Sequence, residues 1–357
     1  MLRIEMLPAA HGDALWIEYG SQSKPRRILI DAGPINTYEA VFKRLKTATA
    51  RRSDIDLFVI THIDTDHIDG AVVLLRDTAL KLEFGDIWFN AWQQLAAETT
   101  DSYGPEQGEF VQSLINMQGR PWNRAFDGNA VVVPDTGPLP VVTLAEGAKV
   151  TLLSPGDRQL RRLRRNWESV VTDAGWTPGD ARASLARLEA RRAYEPPVHR
   201  ETYAATDVYG TDNAVANGSS IAFVLDYQHL RCLFTGDAFA DVLVAGLDRY
   251  AAAAGIQGHI EFDAVKLPHH GSMNNWSPEL QQRVTSKNYL VSTSGARFRH
   301  PDKQTIELIL DSEANKSALW FNYRSEFTKP WENLRRSSTA NFISHYPSTT
   351  NSVILEL

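Results

Sequence analysis

Apolar positions in the first thirty residues fall in three short runs, Leu2 to Leu7, Ala14 to Tyr19 and Arg27 to Asp31, broken by polar turns at His11-Gly12-Asp13 and Ser21 to Lys24. Runs of this length between turn formers predict three successive strands. Helical spacing over Tyr38 to Lys46 follows, then four apolar residues, Leu57 to Ile60, that read as a buried strand. Beyond the polar stretch Thr61 to Gly70, Ala71 to Leu80 reads as a helix, Asp86 to Asn90 as an aromatic strand and Glu106 to Met117 as a further helix. Strands and helices in alternation imply packed α/β layers. Val131 to Val133, Val141-Val142 and Lys149 to Leu153 read as short strands split by turns.

The pattern then changes. From Gln159 to Tyr194 the chain is dense in arginine, with Arg161, Arg162, Arg164, Arg165, Arg182, Arg187, Arg191 and Arg192 among few strand formers. A solvated helical pair is the expectation, protruding as a mobile element between Pro155-Gly156 and Pro196-Pro197. Glu195 to Asn217 reads as a long loop, and loops of that length tend to be functional or disordered. Layered alternation returns with a hairpin at Ile221 to Tyr227 and Arg231 to Thr235, a helix at Ala240 to Ala254, and strands at Ala264 to Leu267, Tyr289 to Ser292, Ala318 to Tyr323 and Ser352 to Leu357. No repeat of solenoid period is visible.

Composition narrows the class. With 357 residues, 43% of them hydrophobic, and nine tryptophans, the chain holds a large core and is not disordered overall. A net charge of −6 argues against a general nucleic-acid coat but leaves room for a local basic groove or for phosphates held by bound cations. Cys232 is the sole cysteine, which excludes an intrachain disulfide, and in the run Leu230 to Phe234 it reads as a small buried hydrophobe. The start shows no basic segment followed by an apolar core, and no run reaches the ~18 apolar residues of a membrane helix, so a soluble cytoplasmic protein with no membrane partner is expected.

Chemistry concentrates where strands end. Behind Leu57 to Ile60 come His62, Asp64, Asp66 and His67, two imidazoles and two carboxylates that a tight turn could aim into one small volume. Nitrogen and hard oxygen donors without a thiolate suit Zn, Mn or Fe. Asp237, His269-His270 and His300 likewise follow strand-like runs. Taken singly, each has a plain explanation as a helix cap or a loop residue making local hydrogen bonds. Together they form a recurring pattern at the ends of strands, where ligands collect in layered α/β folds.

These residues resemble the metallo-β-lactamase superfamily, and within it the ComEC-like hydrolase domain of competence DNA uptake. The motif Thr61-His62-Ile63-Asp64-Thr65-Asp66-His67 is similar to His-x-His-x-Asp-His with Asp64 in place of the second histidine, as is common in that branch. His11-Gly12-Asp13 with Leu29 to Gly33 looks like the branch's opening hairpin, and Asn217 to Ser220 like its Asn-x-x-Ser segment. Phe234 to Asp237 resembles its Thr-Gly-Asp strand end, Lys266 to Ser272 its Lys-x-Pro-His-His-Gly-Ser run, and Arg299-His300-Pro301 its Gly-His-Pro. Order and spacing match over most of the chain, outside about 90 to 130 and 155 to 210.

The resemblance implies a four-layer αββα sandwich with an arginine-rich helical insertion at 155–210 in a single domain spanning 1–357. It implies two divalent metal ions, Zn or Mn, with His62 and Asp64 on one, Asp66 and His67 on the other, Asp237 bridging, and His269 or His270 as a further ligand. Asp31 would orient the motif loop from behind, while Asn217 and Ser272 would add hydrogen bonds. The histidine that many superfamily members supply before the bridging aspartate has no counterpart, since that region reads Asn217-Gly218-Ser219-Ser220. Asp66, Asp237 and His300 would carry catalysis, with a metal-activated hydroxide as nucleophile and His300 at the scissile phosphate or leaving group. The implied function is a metal-dependent phosphodiesterase, a nuclease above all, with DNA or another nucleic acid as partner. Competing readings are a hydrolase of a small ester, lactone or phosphate, and an effector module engaged by a regulatory protein or a protease.

Overall fold

The computed structural model describes residues 1–49, 55–95, 105–196, 214–312, 317–332, 342–348 and 352–357. Three strands, β1 (Leu2–Met6), β2 (Leu15–Ser21) and β3 (Lys24–Ile30), form an antiparallel meander, after which helix α1 (Tyr38–Thr49) leads to β4 (Ile55–Val59). Helix α2 (Thr65–Arg76) and strand β5 (Phe84–Trp88) follow, with β3, β4 and β5 parallel. Helix α3 (Glu106–Met117) precedes β6 (Val141–Thr143) and β7 (Lys149–Ser154), then come the helices α4 (Asp157–Asp173), α5 (Ala181–Glu189) and α6 (Ala214–Gly218). The second sheet continues through β8 (Ala222–Tyr227), β9 (Leu230–Phe234), α7 (Ala240–Ala254), β10 (Ile260–Phe262) and β11 (Ala264–Lys266). The chain closes with α8 (Pro278–Gln281), β12 (Val284–Ser286), β13 (Asn288–Val291), α9 (Lys303–Ser312), β14 (Ala318–Phe321), β15 (Ile343–His345) and β16 (Val353–Glu356).

Two large sheets result, six strands in the order β16-β1-β2-β3-β4-β5 and eight in the order β15-β14-β13-β11-β9-β8-β7-β6. Strand alternation decides what each face covers. On β3 and β4, Ile28, Ile30, Leu57 and Val59 point into the space between the sheets and join Val150, Phe223, Cys232 and Ala264 of the second sheet. The intervening Leu29 and Phe58 face outward against Val41 and Leu45 of α1 and Ile68, Val72 and Leu75 of α2. Leu243 and Leu247 of α7 and Ile306 and Ile309 of α9 join the core cluster that includes the second sheet. This is the αββα sandwich, and the loops after the parallel strands β3, β4, β9, β11 and β13 open at one end of it.

Two expectations from the pattern need correction. Val131 to Val133 is not a strand; Val133 makes a single bridge to Gly156. The arginine-rich helices do not protrude as a mobile element. Leu160, Leu163, Trp167 and Val171 lie on one side of α4 and are buried with Phe110 and Leu114 of α3 in the outer core. Each such side chain contributes ~1.5–3 kcal/mol when fully buried. Trp167 Nε1 donates to Glu109 Oε1 at 2.7 Å, and the Gly179 amide reaches the same carboxylate at 3.0 Å. Three arginines are part of this packing: Arg164 lies over the Trp92 ring, Arg187 over Trp176, and Arg191 pairs with Glu106. Most of the loop read at Glu195 to Asn217 lies outside the described residues, and its end forms α6. No helix among the described residues is long and apolar enough to cross a membrane.

Candidate metal centre

The loop after β4 is short because α2 begins inside the motif. Asp64 is the residue before the helix, in extended conformation, and Asp66 and His67 occupy the first turn. An acidic residue there is favoured by the exposed amides and the dipole of the helix start. The loop is pressed from behind by the turn between β1 and β2, where a Cβ on Gly12 would stand 1.7 Å from the backbone oxygen of Asp66. Only glycine permits that approach. From the other sheet, β9 delivers Asp237 through Gly236 at φ +50°, and β11 delivers His269 and His270, both at positive φ (45° and 59°). Two consecutive non-glycine residues in the left-handed region are costly, and such strain persists where surrounding contacts hold it.

The side chains converge on one oxygen. Asp237 Oδ2 lies 3.4 Å from His67 Nε2, 3.5 Å from His270 Nε2, and 3.9 Å from both His62 Nε2 and His269 Nε2. Asp64 Oδ2 is 3.6 Å from His62 Nε2 on one side, and Asp66 Oδ2 is 3.6 Å from His270 Nε2 on the other. Donor atoms sharing a cation at ~2.1 Å stand about 3.4 Å apart, so these separations suit ligands around ions. Two of the clusters are His62-His67-Asp237 and Asp66-His67-His270. The fit has a second sign: His62 Nε2, His67 Nε2, His270 Nε2 and Asp237 Oδ1 are all buried with no hydrogen-bond partner. Buried polar groups are normally satisfied, so four orphaned atoms facing one space fit a site for divalent cations.

Each imidazole is held by its other nitrogen. His67 Nδ1 bonds Asp31 Oδ2 at 2.8 Å, and Asp31 also accepts from the Thr61 amide and hydroxyl, both at 2.7 Å. His62 Nδ1 bonds Thr61 Oγ1 at 2.9 Å. His270 Nδ1 bonds the Ser292 carbonyl at 2.9 Å with Asp13 Oδ1 at 3.5 Å, and Asp13 is ion-paired with buried Lys266. His269 Nδ1 meets Asn275 Oδ1 at 3.1 Å and Asn217 Nδ2 at 3.5 Å, while Asn275 Nδ2 donates to the carbonyls of Asp237 and Ala238. Such partners fix ring orientation and tautomer.

The electrostatics follow from burial and crowding. Burial works against charge on Asp237, yet His67, His270 and His269 hold its carboxyl well below the usual carboxylate range. Burial likewise works against a charged His270, but Asp237, Asp13 and Asp66 push it up to about 9, and Asp237 and Asp31 raise His67 in the same way. His62 is pushed down to about 4 by burial and by His67. Without cations, the carboxylates are thus offset by protons on His67 and His270, the charge that bound metal would replace.

The predicted residues do not all meet. His62, His67, Asp237, His269 and His270 converge, with Asp64 and Asp66 at the flanks. Asp31 lies behind His67, and Asn217 reaches the site through His269. Ser272 is buried in the turn, where its hydroxyl accepts from the Asn274 amide. His300 is partly buried beyond His269, ring centroids 5.6 Å apart, with Nδ1 3.5 Å from Asp302 and a pKa lowered by burial. At the mouth Arg297 donates to His11 Nε2 at 3.1 Å and lies over Phe298. Asp13, Lys266, Asn275 and Thr61 were not singled out as site residues. Asp13 and Lys266 stand inside the quoted motif runs and were legible there; Asn275 carried no signal of its own.

Fold and donor set together define an αββα metal-binding chain whose site lies at the loop ends of two facing sheets. A profile of the metallo-beta-lactamase superfamily matches residues 22–295, and the chain belongs to that superfamily. Its members are mostly metal-dependent hydrolases with dinuclear metal sites. Among solved structures, the chain is similar to CmlA, a diiron beta-hydroxylase from Streptomyces venezuelae, at 12% identity and TM-score 0.41, covering 99% of this chain and 54% of that one. It is also similar to the MIM-2 metallo-beta-lactamase at 10% identity and TM-score 0.30, covering 77% of this chain and 79% of that one. The chain spans about half the length of CmlA. No curated protein matches it.

Proposed function

We propose that the chain is a metal-dependent phosphodiesterase of the ComEC-like kind, acting on nucleic acid. The observation that supports a two-cation site is the meeting of four imidazole Nε2 atoms on Asp237 Oδ2, with Asp64 and Asp66 on opposite sides. His62, Asp64, Asp66, His67, His270 and Asp237 would hold the ions. A pair of divalent cations there supplies a water acidified toward neutrality and positive charge for the phosphoryl oxygens. A nitrogen and oxygen donor set without thiolate, with Asp64 where a third imidazole would be softer, favours Mn alongside Zn.

The chain's own residues do the rest. Asp31 keeps His67 turned inward, the Ser292 carbonyl does so for His270, and Asn275 for His269. His300, neutral at pH 7 because burial lowers its pKa, hydrogen-bonds the scissile group from beside His269. The Arg297 guanidinium at the mouth favours an anionic diester over a neutral ester. The test is wild-type activity with Mn or Zn on three substrates: a single-stranded oligonucleotide, bis(p-nitrophenyl) phosphate and p-nitrophenyl acetate. Metal-dependent cleavage of both diesters is expected. Hydrolysis of the acetate alone would replace this reading with a carboxyl-ester hydrolase.

A further inference from the structure

The arginines of the insertion divide into two sets. Arg164, Arg187 and Arg191 are spent on aromatic rings, and Arg164 also donates to the carbonyls of Trp92 and Leu95. Arg158, Arg161, Arg162 and Arg165 are all exposed and form no ion pair among the described residues. At 100° per residue, spacings of three, one and three put all four on one face of α4, opposite the buried stripe of Leu160, Leu163 and Trp167. A helix face that merely stays soluble usually mixes signs and pairs them at i, i+4. Here the helix's carboxylates, Asp157, Glu168 and Asp173, lie outside the run of four, in a chain whose net charge is −6.

The first half of the helix that carries this face sits toward the end of the sandwich where the candidate metal centre lies. The strand leading into α4, β7, ends at Ser154, which pairs with Ala222; the preceding residue, Ile221, donates its amide to the Thr61 carbonyl at 3.0 Å. Arg164 pins the same half of the helix to Trp92 and Leu95, beyond the C-terminal end of β5, and the parallel β4 runs into the His62 loop at that end. The helix also packs on α6, whose Asn217 touches His269. Arg158 to Arg165 spans about 10 Å at 1.5 Å per residue, the reach of about three phosphates of one strand at ~3.4 Å each.

We infer that this arginine face of α4 docks the phosphate backbone of a nucleic-acid strand and leads it into the metal centre. The inference rests on the phosphodiesterase reading and adds where the strand binds. It concerns the backbone alone, so it carries no sequence preference.

The test is binding of a fluorescent 20-nucleotide single strand, with metal chelated to stop cleavage, across a salt series. The full chain is compared with a variant carrying Arg158→Gln, Arg161→Gln, Arg162→Gln and Arg165→Gln, and with one carrying lysine at the same four positions. At about 0.7 per phosphate contact on a single strand, the glutamine variant flattens the slope of log affinity against log salt by about 2 to 3 and binds at least about tenfold more weakly. The lysine variant keeps the slope, and an unchanged Tm in both shows that the helix still packs. If the slope and affinity of the glutamine variant match wild type while wild type cleaves the oligonucleotide, the docking face is wrong and the enzyme reading stands. If wild type cleaves bis(p-nitrophenyl) phosphate but neither binds nor cleaves the oligonucleotide, the nucleic-acid assignment falls and this inference with it. Loss of binding to phosphatidylserine vesicles in the glutamine variant, with no oligonucleotide binding by wild type, would make the face a membrane contact and overturn the inference.

Discussion

Two buried carboxylates stand behind the candidate metal centre, one for each sheet's imidazole, and they are held differently. Asp31, from the first sheet, is surrounded by neutral donors, the Thr61 amide and hydroxyl, and it grips His67 at 2.8 Å. Asp13 reaches across to His270 of the second sheet at only 3.5 Å, and its charge is already met by Lys266. His270 instead takes its orientation from the Ser292 carbonyl at 2.9 Å. The difference separates two tasks. Asp31 holds His67 directly, whereas Asp13 and Lys266 form a buried ion pair that ties the β1-β2 turn to β11 and reaches His270 weakly. A buried pair adds little over an apolar replacement, yet breaking it leaves an uncompensated charge.

The largest effect should therefore come from Lys266→Met, which strands the Asp13 carboxylate and should cost about 3–5 kcal/mol. Denaturant unfolding measures it, and adding Asp13→Leu should recover most of the loss; a double variant no better than the single would mean that the lysine acts through something else. Next comes Asp31→Ala, which leaves the Thr61 donors and His67 Nδ1 without an acceptor. About 1–3 kcal/mol of stability and 10- to 100-fold in metal affinity should be lost. Asp13→Asn should weaken the metal by less than about tenfold, because the Ser292 carbonyl still holds His270. Titration calorimetry with Mn ranks the two variants, and equal losses would erase the distinction.

A further test is a pH trend in the metal-free protein. His270 has its folded pKa raised to about 9 by the carboxylates facing it. Its contribution to stability is thus complete below about 6.5 and lost as pH rises through 9. The Tm of chelated protein should fall across that interval, and the metal-loaded protein should show a weaker trend. A chelated Tm that climbs from pH 6.5 to 9 would contradict the proton balance described for the site.

The N-terminal meander, α1 and α7 were legible because their runs are long enough to show a period of 2 or 3.6. Strands β10, β12 and β15 are three residues each, too short for any period to show, and α2 starts inside the motif, where polar ligands mask helical spacing. On α4 the apolar stripe of Leu160, Leu163, Trp167 and Val171 was present in the sequence but outweighed by the arginine count, which suggested solvent on all sides. Of the site, the histidines and aspartates at strand ends were readable by type and position. Spacing alone could not show that His269 and His270 both turn toward Asp237, since this depends on two successive left-handed residues. Nor could it show that Ser272 turns to its own loop while Asn275 supports His269.

The central claim is that Asp237 joins two cations in one hydrolytic site, and metal counting on Asp237→Ala tests it most directly. Elemental analysis after Mn or Zn loading should give two ions per chain for wild type. The variant should hold one or fewer, with diester hydrolysis abolished and the far-UV spectrum and unfolding transition retained. Two ions in the variant, or hydrolysis near the wild-type rate, would contradict the account.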